Sequence, residues 1–239
     1  MKKYGFVLLL IPLFYFPCYI SDELVRELTK EDGLYEYAGA FLFFFTSIAF
    51  FILATKPNVF RAHKGSNKLP DRRYFWLLGL LFFFAFGEEI SWGQRIFNFE
   101  TPEAIKEMNI QGEFNFHNLK FFHGKTPEGE EKTGIMALLS MHRLFYLAFF
   151  TYLLVLPLLY KANSRIRGLA DKLKLPVPLV IIGVLFIFNL AYGNTLRELL
   201  PEIDDHGIVE IKEFLMALIL FLLPLSWMRF KKTNKEITE

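Results

Sequence analysis

The chain has 239 residues, of which 53% are hydrophobic and 18% aromatic, and its mean hydropathy is +0.30. This apolar share exceeds that of an ordinary soluble domain and indicates an integral membrane protein. A net charge of only +2 excludes the strongly basic surface of a nucleic-acid-binding protein, and a single cysteine excludes an intrachain disulfide or a cysteine-based zinc site.

Mostly apolar stretches occur six times, each near the roughly 20 residues that a membrane-spanning helix needs. The fold is therefore predicted to be all-α, a single membrane domain of residues 1–239 forming a bundle of six transmembrane helices. The predicted helices cover residues 4–20, 36–55, 74–92, 134–160, 175–194 and 209–227.

Basic residues concentrate in alternate connections of this bundle. Residues 56–73 contain six Lys or Arg residues and one acidic residue. Residues 161–174 contain five Lys or Arg residues and one acidic residue. Both chain ends are also basic, whereas the other connections are acidic on balance. Because basic residues are retained on the cytoplasmic side, we predict a multi-pass protein of the cell (inner) membrane with both termini in the cytoplasm.

The longest connection, residues 96–133, is predicted to lie outside the cell and to be partly inserted in the membrane. Thr101 as the N-cap residue and Pro102 at the first helical position are typical of a helix start, which predicts a short helix over residues 101–109. Beyond it, phenylalanines alternate with Asn and His residues. This pattern favours a segment whose rings enter the membrane surface while its polar groups face a cavity.

A polar site is predicted at the outer end of the third helix, where an apolar run stops at Glu88 and Glu89. Ionisable groups at membrane depth cost about 3 kcal/mol each, so they usually face a bundle interior or a wet cavity. Helical spacing puts Glu88, Trp92 and Arg95 on one face. The same topology brings His117, His142 and His206 to the outer half of the protein.

Three functions are compatible with this set of residues. The favoured one is a hydrolase or transferase acting at the outer leaflet on a lipid or lipid-linked substrate, with membrane lipids as its partners and no nucleic acid. One alternative is a proton- or cation-coupled transporter. The other is a structural protein in which arginines neutralise carboxylates, the arginines being Arg95, Arg143 and Arg197 and the carboxylates Glu88, Glu89, Glu210 and Glu213. The inner halves of the predicted helices contain few ionisable groups, which favours an enzyme over a carrier.

In the enzyme interpretation, Glu88, Glu89 and His117 are acid–base candidates. Arg95 and Arg143 are candidates for holding a phosphate or carboxylate. His142, His206 and Glu210 are candidate ligands of a divalent metal such as zinc, because His206 and Glu210 share a helix face at i, i+4. A metal-free alternative has a carboxylate and a histidine activate water directly.

The segment Gly87–Phe97 (GEEISWGQRIF), followed by Asn109–Asn118 (NIQGEFNFHN), resembles a group of uncharacterised bacterial multi-pass membrane proteins. That resemblance implies a membrane protein and no particular activity. The adjacent glutamates are also similar to those of the CAAX-type intramembrane proteases, in which an arginine follows the second glutamate by four residues rather than six as Arg95 does here. This resemblance implies water activation by a carboxylate and a histidine.

Overall fold

The computed structural model describes residues 5–30, 33–56, 59, 69–122, 126, 132–134 and 140–228. Throughout these residues the chain forms helices joined by turns, so the predicted all-α class is confirmed. Both chain ends and most of the basic connection 56–73 lie outside the described residues. The predicted orientation of the termini therefore stays a prediction.

The helices follow one another along the chain, and the longest intervals between described helices run from residue 56 to 71 and from residue 109 to 140. In order they are α1 Val7–Phe14, α2 Asp22–Thr29, α3 Leu34–Thr55, α4 Arg72–Glu89, α5 Gln94–Phe97, α6 Glu103–Met108, α7 Met141–Phe150, α8 Leu156–Ala162, α9 Ser164–Leu173, α10 Val180–Leu199 and α11 Asp205–Trp227. A π-helical turn, Thr151–Val155, joins α7 directly to α8, and 3-10 turns occupy Phe16–Tyr19 and Ser91–Gly93.

Some of these helices are long and apolar enough to cross a membrane. Among the described residues, three segments qualify alone: Leu34–Thr55, Arg143–Ala162 and Val180–Leu199. The pair Arg72–Glu89 and Ser91–Phe97 qualifies when taken as one segment bent by 68°. The final helix, α11, is as long, but four of its first nine residues are charged.

Two predicted spans differ from the observed helices because of local backbone chemistry. The span predicted at 4–20 is interrupted: α1 ends at Phe14, and a 3-10 turn containing Pro17 follows. Proline lacks the N–H that would continue the helix. The helix predicted at 175–194 instead begins at Val180, because Pro176 and Pro178 keep the preceding residues out of a helix.

The remaining spans also shift at their ends. The third predicted helix stops at Glu89 instead of continuing to residue 92. The fourth is observed from Met141, and residues 135–139 lie outside the described part of the chain. The second and sixth predictions agree with α3 and α11 to within a few residues.

Packing places α11 at the centre of the described bundle, with α3 and α10 beside it, and α4 lies along α3. The α3–α4 contact is close: Ser47 donates a 2.8 Å hydrogen bond to the backbone oxygen of Gly79. Nearby, the rings of Phe50 and Phe82 stack at 5.7 Å. This packing holds the middle of α4 against α3, and the candidate site begins at the end of α4.

Candidate functional site

The backbone turns sharply directly after α4. Ser91 and Trp92 have φ values of 45° and 54°, and Gly93 has 80°. A left-handed conformation costs a residue with a side chain about 1–2 kcal/mol, so two such residues in succession need support from their surroundings. The residues that give this support come from the loop that follows.

One part of that support is a buried polar cluster around Ser91. The Ser91 hydroxyl donates a 2.7 Å hydrogen bond to Glu113 Oε2. Asn115 Nδ2 donates to the same Glu113 oxygen at 2.8 Å and to Ser91 Oγ at 3.1 Å. Arg95 also forms an ion pair with Glu113. The loop is thereby fastened to the turn through one shared carboxylate.

Gln94 fastens the loop at a second point. Its Nε2 donates to Thr101 Oγ1 at 2.8 Å, and its Oε1 accepts from the Phe114 backbone N–H at 2.8 Å. Thr101 is therefore engaged by Gln94 and does not cap α6, whose N-cap residue is Pro102 without a side-chain cap bond. The predicted short helix exists, but its predicted capping contact is wrong.

Asn109 organises the loop itself. Its Nδ2 donates to the Asn115 side-chain oxygen at 2.9 Å and to the Asn115 backbone oxygen at 3.0 Å, and its Oδ1 accepts from the Gln111 N–H at 2.9 Å. Both asparagines are only 3% exposed. Buried amides satisfied in this way hold a loop in a single conformation, because breaking one bond leaves a buried polar group without a partner.

Glu88 is the carboxylate at the centre of the site. It is 6% exposed, and its Oε1 accepts a 2.7 Å hydrogen bond from Trp92 Nε1. Its Oε2 accepts from the backbone N–H groups of Phe116 at 2.7 Å and His117 at 2.9 Å. Bonds from three N–H groups stabilise a carboxylate strongly and offset much of the cost of burying it.

His117 adds a fourth contact to Glu88. Its Nδ1 lies 3.4 Å from Glu88 Oε2, while its side chain stays 37% exposed. A carboxylate beside Nδ1 favours the tautomer that carries the proton on that nitrogen. Within the part of the chain that the structure describes, no hydrogen bond engages Nε2. The arrangement presents an oriented imidazole with one nitrogen available to solvent or a ligand.

Glu89 belongs to a different environment from its neighbour. The carboxylates of Glu213, Glu210 and Glu36 lie near enough to act on it electrostatically. These residues lie on α11 and α3, so four carboxylates gather where three helices end. Arg95 approaches this group as well, with Nη1 3.8 Å from Glu36 Oε1. Glu88 and Glu89 therefore face separate neighbourhoods despite being adjacent.

The other predicted site residues are distributed around this end of the protein. Arg143 is exposed near the start of α7. His206 lies in the first turn of α11 with a side chain 69% exposed, and its Nε2 is 3.6 Å from Glu210 Oε1. The side chain of His142 lies outside the described residues. No group of three His, Cys, Asp or Glu residues able to hold a metal is found among those described, and the metal site stays a prediction.

Two arginines have partners other than those expected in the structural alternative. Arg95 pairs with Glu113, and Arg197 pairs with Asp205, both outside the set Glu88, Glu89, Glu210 and Glu213. The single helical face predicted for Glu88, Trp92 and Arg95 is interrupted, because the bend after α4 places Glu88 and Arg95 in separate helices. In the site, Arg95 pairs with Glu113 and approaches Glu36.

Glu113, Asn109 and Asn115 were not among the predicted site residues, although the polar groups of this segment were predicted to face a cavity. A usable signal was present: polar and aromatic residues alternate strictly from Glu113 to His117. Such a period of two is typical of an extended segment with one polar face. Here that polar face contacts the turn after α4.

No protein-family model, curated protein or solved structure matches this chain. The chemistry of the site is therefore inferred from its geometry.

Proposed function

We propose that the protein is a membrane-embedded hydrolase or transferase acting at the outer face of the cell membrane on a lipid or lipid-linked substrate. The observation that carries the proposal is the pairing of buried Glu88 with half-exposed His117, whose Nδ1 and the Glu88 carboxylate are 3.4 Å apart. A carboxylate that orients a histidine is a recurring arrangement for general-base catalysis.

In the proposed mechanism, Glu88 keeps the proton on Nδ1, and Nε2 accepts a proton from an attacking water molecule. The resulting hydroxide adds to the carbonyl carbon of an ester. The tetrahedral intermediate then expels the alcohol, which takes the proton back from Nε2. In a transferase, an acceptor hydroxyl replaces the water. Glu88 stabilises the imidazole while it is positively charged, between the two proton transfers. Base catalysis of this kind raises the reaction rate by about 10²–10⁴-fold.

The surrounding residues have supporting roles in this proposal. Arg143 is the candidate for binding an anionic head group, because it is exposed near the start of α7. Arg95 holds Glu113 and thereby the loop that carries His117. His142, His206 and Glu210 form the alternative, metal-assisted version, which predicts zinc in the purified protein and its loss in a His206→Ala variant, measured by elemental analysis.

The proposed topology has six membrane segments with both termini in the cytoplasm. It is supported by the apolar helices together with the alternation of basic and acidic connections. Single cysteines placed at Asn163 and at Glu107, after Cys18→Ser, test it with a membrane-impermeant thiol reagent. Labelling of intact cells at position 107 and not at 163 is the expected result, and the reverse pattern overturns this topology.

The enzymatic proposal is tested by reconstitution into vesicles that contain ester-linked lipids, with product release followed by mass spectrometry. We expect His117→Gln to reduce the rate by at least about 10²-fold. Glu107→Gln, at an exposed position of α6 outside the site, is the control and should keep the wild-type rate. Equal rates for wild type and His117→Gln would contradict the assignment, provided that both proteins have the same thermal midpoint.

A proton- or cation-coupled transporter is the second candidate, favoured by the carboxylates of Glu36, Glu210 and Glu213, which lie near Glu89 on two other helices. Uptake driven by a proton gradient in proteoliposomes, abolished by Glu89→Gln and retained in His117→Gln, would establish it. Ester hydrolysis that is lost in His117→Gln and retained in Glu89→Gln supports the enzyme.

A further inference from the structure

One face of α4 forms an apolar stripe that leads to the Glu88–His117 pair. Leu77, Leu81 and Phe84 are spaced by four and three residues, so they share that face, and Glu88 follows four residues later. The three apolar side chains are 62%, 48% and 42% exposed. In a helix that crosses a membrane, an exposed face of this kind contacts lipid.

The stripe continues beyond the helix onto the loop. The ring of Phe84 packs edge-on against the Trp92 ring, with 5.4 Å between the ring centroids. It also packs against the Phe116 ring in a tilted arrangement, with 6.0 Å between centroids. Phe116 is itself 49% exposed and directly precedes His117. These contacts extend the apolar surface from the middle of α4 to the residue next to the imidazole.

The length of this surface matches a lipid chain. From Leu77 to Glu88 the helix rises about 16 Å, at about 1.5 Å per residue. Half of the hydrocarbon thickness of a bilayer is about 15 Å. If Glu88 lies at the membrane boundary, Leu77 lies near the midplane, so the stripe covers the depth of one leaflet.

We propose that the substrate is a glycerolipid ester that reaches His117 from within the bilayer, with an acyl chain lying along the Leu77–Leu81–Phe84 stripe and its ester group beside the imidazole. This inference rests on the proposed function and specifies its substrate class and its route of entry. Water attacks the acyl carbonyl as His117 Nε2 takes its proton, the bond to the glycerol oxygen breaks, and that oxygen receives the proton. The products are a fatty acid and a lysolipid.

The first experiment compares a long-chain ester in vesicles with a short-chain, water-soluble ester of the same head group. We expect Leu81→Asn and Leu77→Asn to lower hydrolysis of the vesicle ester about tenfold, because apolar contacts with the chain are lost, and to leave the soluble ester unaffected. Phe41→Asn, on the exposed face of α3, is the matched control and should change neither rate. An equal loss of hydrolysis rate on both esters, or no loss on either ester, overturns the proposed route of substrate entry.

The second experiment measures lipid binding without catalysis. The substitution Trp76→Phe removes an exposed tryptophan, and Trp227 is buried. The remaining tryptophan, Trp92, is then the one that bilayer lipids can quench. Lipids brominated near the ester should quench it more strongly than lipids brominated near the chain end, and His117→Gln should leave this quenching unchanged. Absence of quenching overturns the docking inference. Retained quenching with no hydrolysis of any ester overturns the proposed function alone.

Discussion

The carboxylate of Glu88 accepts a 2.9 Å hydrogen bond from the backbone N–H of His117, a residue 29 positions later, and lies 3.4 Å from Nδ1 of the same residue. One side chain thus fixes both the main chain and the ring of its partner. The end of α4 and the Glu113–His117 segment are consequently a single structural unit. Disturbing either one is expected to release the other.

Replacing Glu88 with glutamine tests this unit directly. The amide supplies one acceptor and two donors where the site offers three N–H donors, so at least one buried N–H loses its partner. We expect a loss of about 1–3 kcal/mol in the free energy of unfolding and faster proteolysis within residues 109–119. Thermal unfolding in detergent and limited proteolysis measure these effects. Glu107→Gln, on an exposed residue of α6, should change stability by less than about 0.5 kcal/mol.

Gly87 tests the position of the Trp92 ring. A Cβ at residue 87 would lie 2.8 Å from two ring carbons of Trp92, which is too close for the ring to stay. We expect Gly87→Ala to displace the indole, weaken its bond to Glu88, cost about 1–3 kcal/mol and shift the tryptophan emission.

Gly168→Ala is the control for that substitution. Its Cβ would meet nothing within 4 Å, and the residue lies inside helix α9. Alanine should therefore stabilise the protein by about 0.5–1 kcal/mol, through its better helix propensity and lower unfolded-state entropy. Equal effects of the two substitutions would show that Trp92 does not pack on Gly87.

The Asn115–Glu113 contact is tested by changing one donor into an acceptor. Asn115→Asp removes the N–H bonds to Glu113 and Ser91 and sets two carboxylates against each other. A loss of about 2–3 kcal/mol is expected. Adding Glu113→Gln restores a donor between the two side chains, so a double-mutant cycle should give a coupling energy above about 1 kcal/mol. Additive losses would contradict the contact.

Acid should weaken the connection between α2 and α11. Asp22 Oδ2 accepts from Arg26 Nε at 2.7 Å, and Asp22 Oδ1 accepts from the Asp204 N–H at 2.6 Å. The Arg26 side chain, followed by that backbone bond, lowers the pKa of Asp22. A carboxyl whose pKa is lower in the folded state contributes stability above its ordinary value of about 3.9, and that contribution is lost as the pH falls further.

The measurement is the thermal midpoint between pH 7 and pH 3 for wild type and Asp22→Asn. The variant should be less stable at pH 7, and the difference should shrink below about pH 4. Glu27→Gln, at an exposed position of the same helix, should follow the wild-type pH dependence. A difference in thermal midpoint that stays constant from pH 7 to pH 3 would mean that the charge of Asp22 contributes nothing to stability.

The amino-acid sequence alone determined the helical class and the position of the apolar helices. α3 was predicted at 36–55 and observed at Leu34–Thr55, and α11 was predicted at 209–227 and observed at Asp205–Trp227. These predictions succeed because a run of apolar residues must be buried in lipid or in a core, whatever its neighbours are. The same reasoning predicted a polar site at the end of α4, where the structure has buried polar side chains.

Only the tertiary structure decided how that site is built. Left-handed Ser91 and Trp92 are unfavourable locally and are stabilised by Glu113 and Asn115, more than twenty residues away, so no local pattern predicts the bend. Likewise, the separation of Glu88 from Glu89 depends on which helices and loops pack beside each carboxylate. Local composition specifies where a chain must be buried, whereas the partners of a buried polar group are chosen by the packing of distant segments.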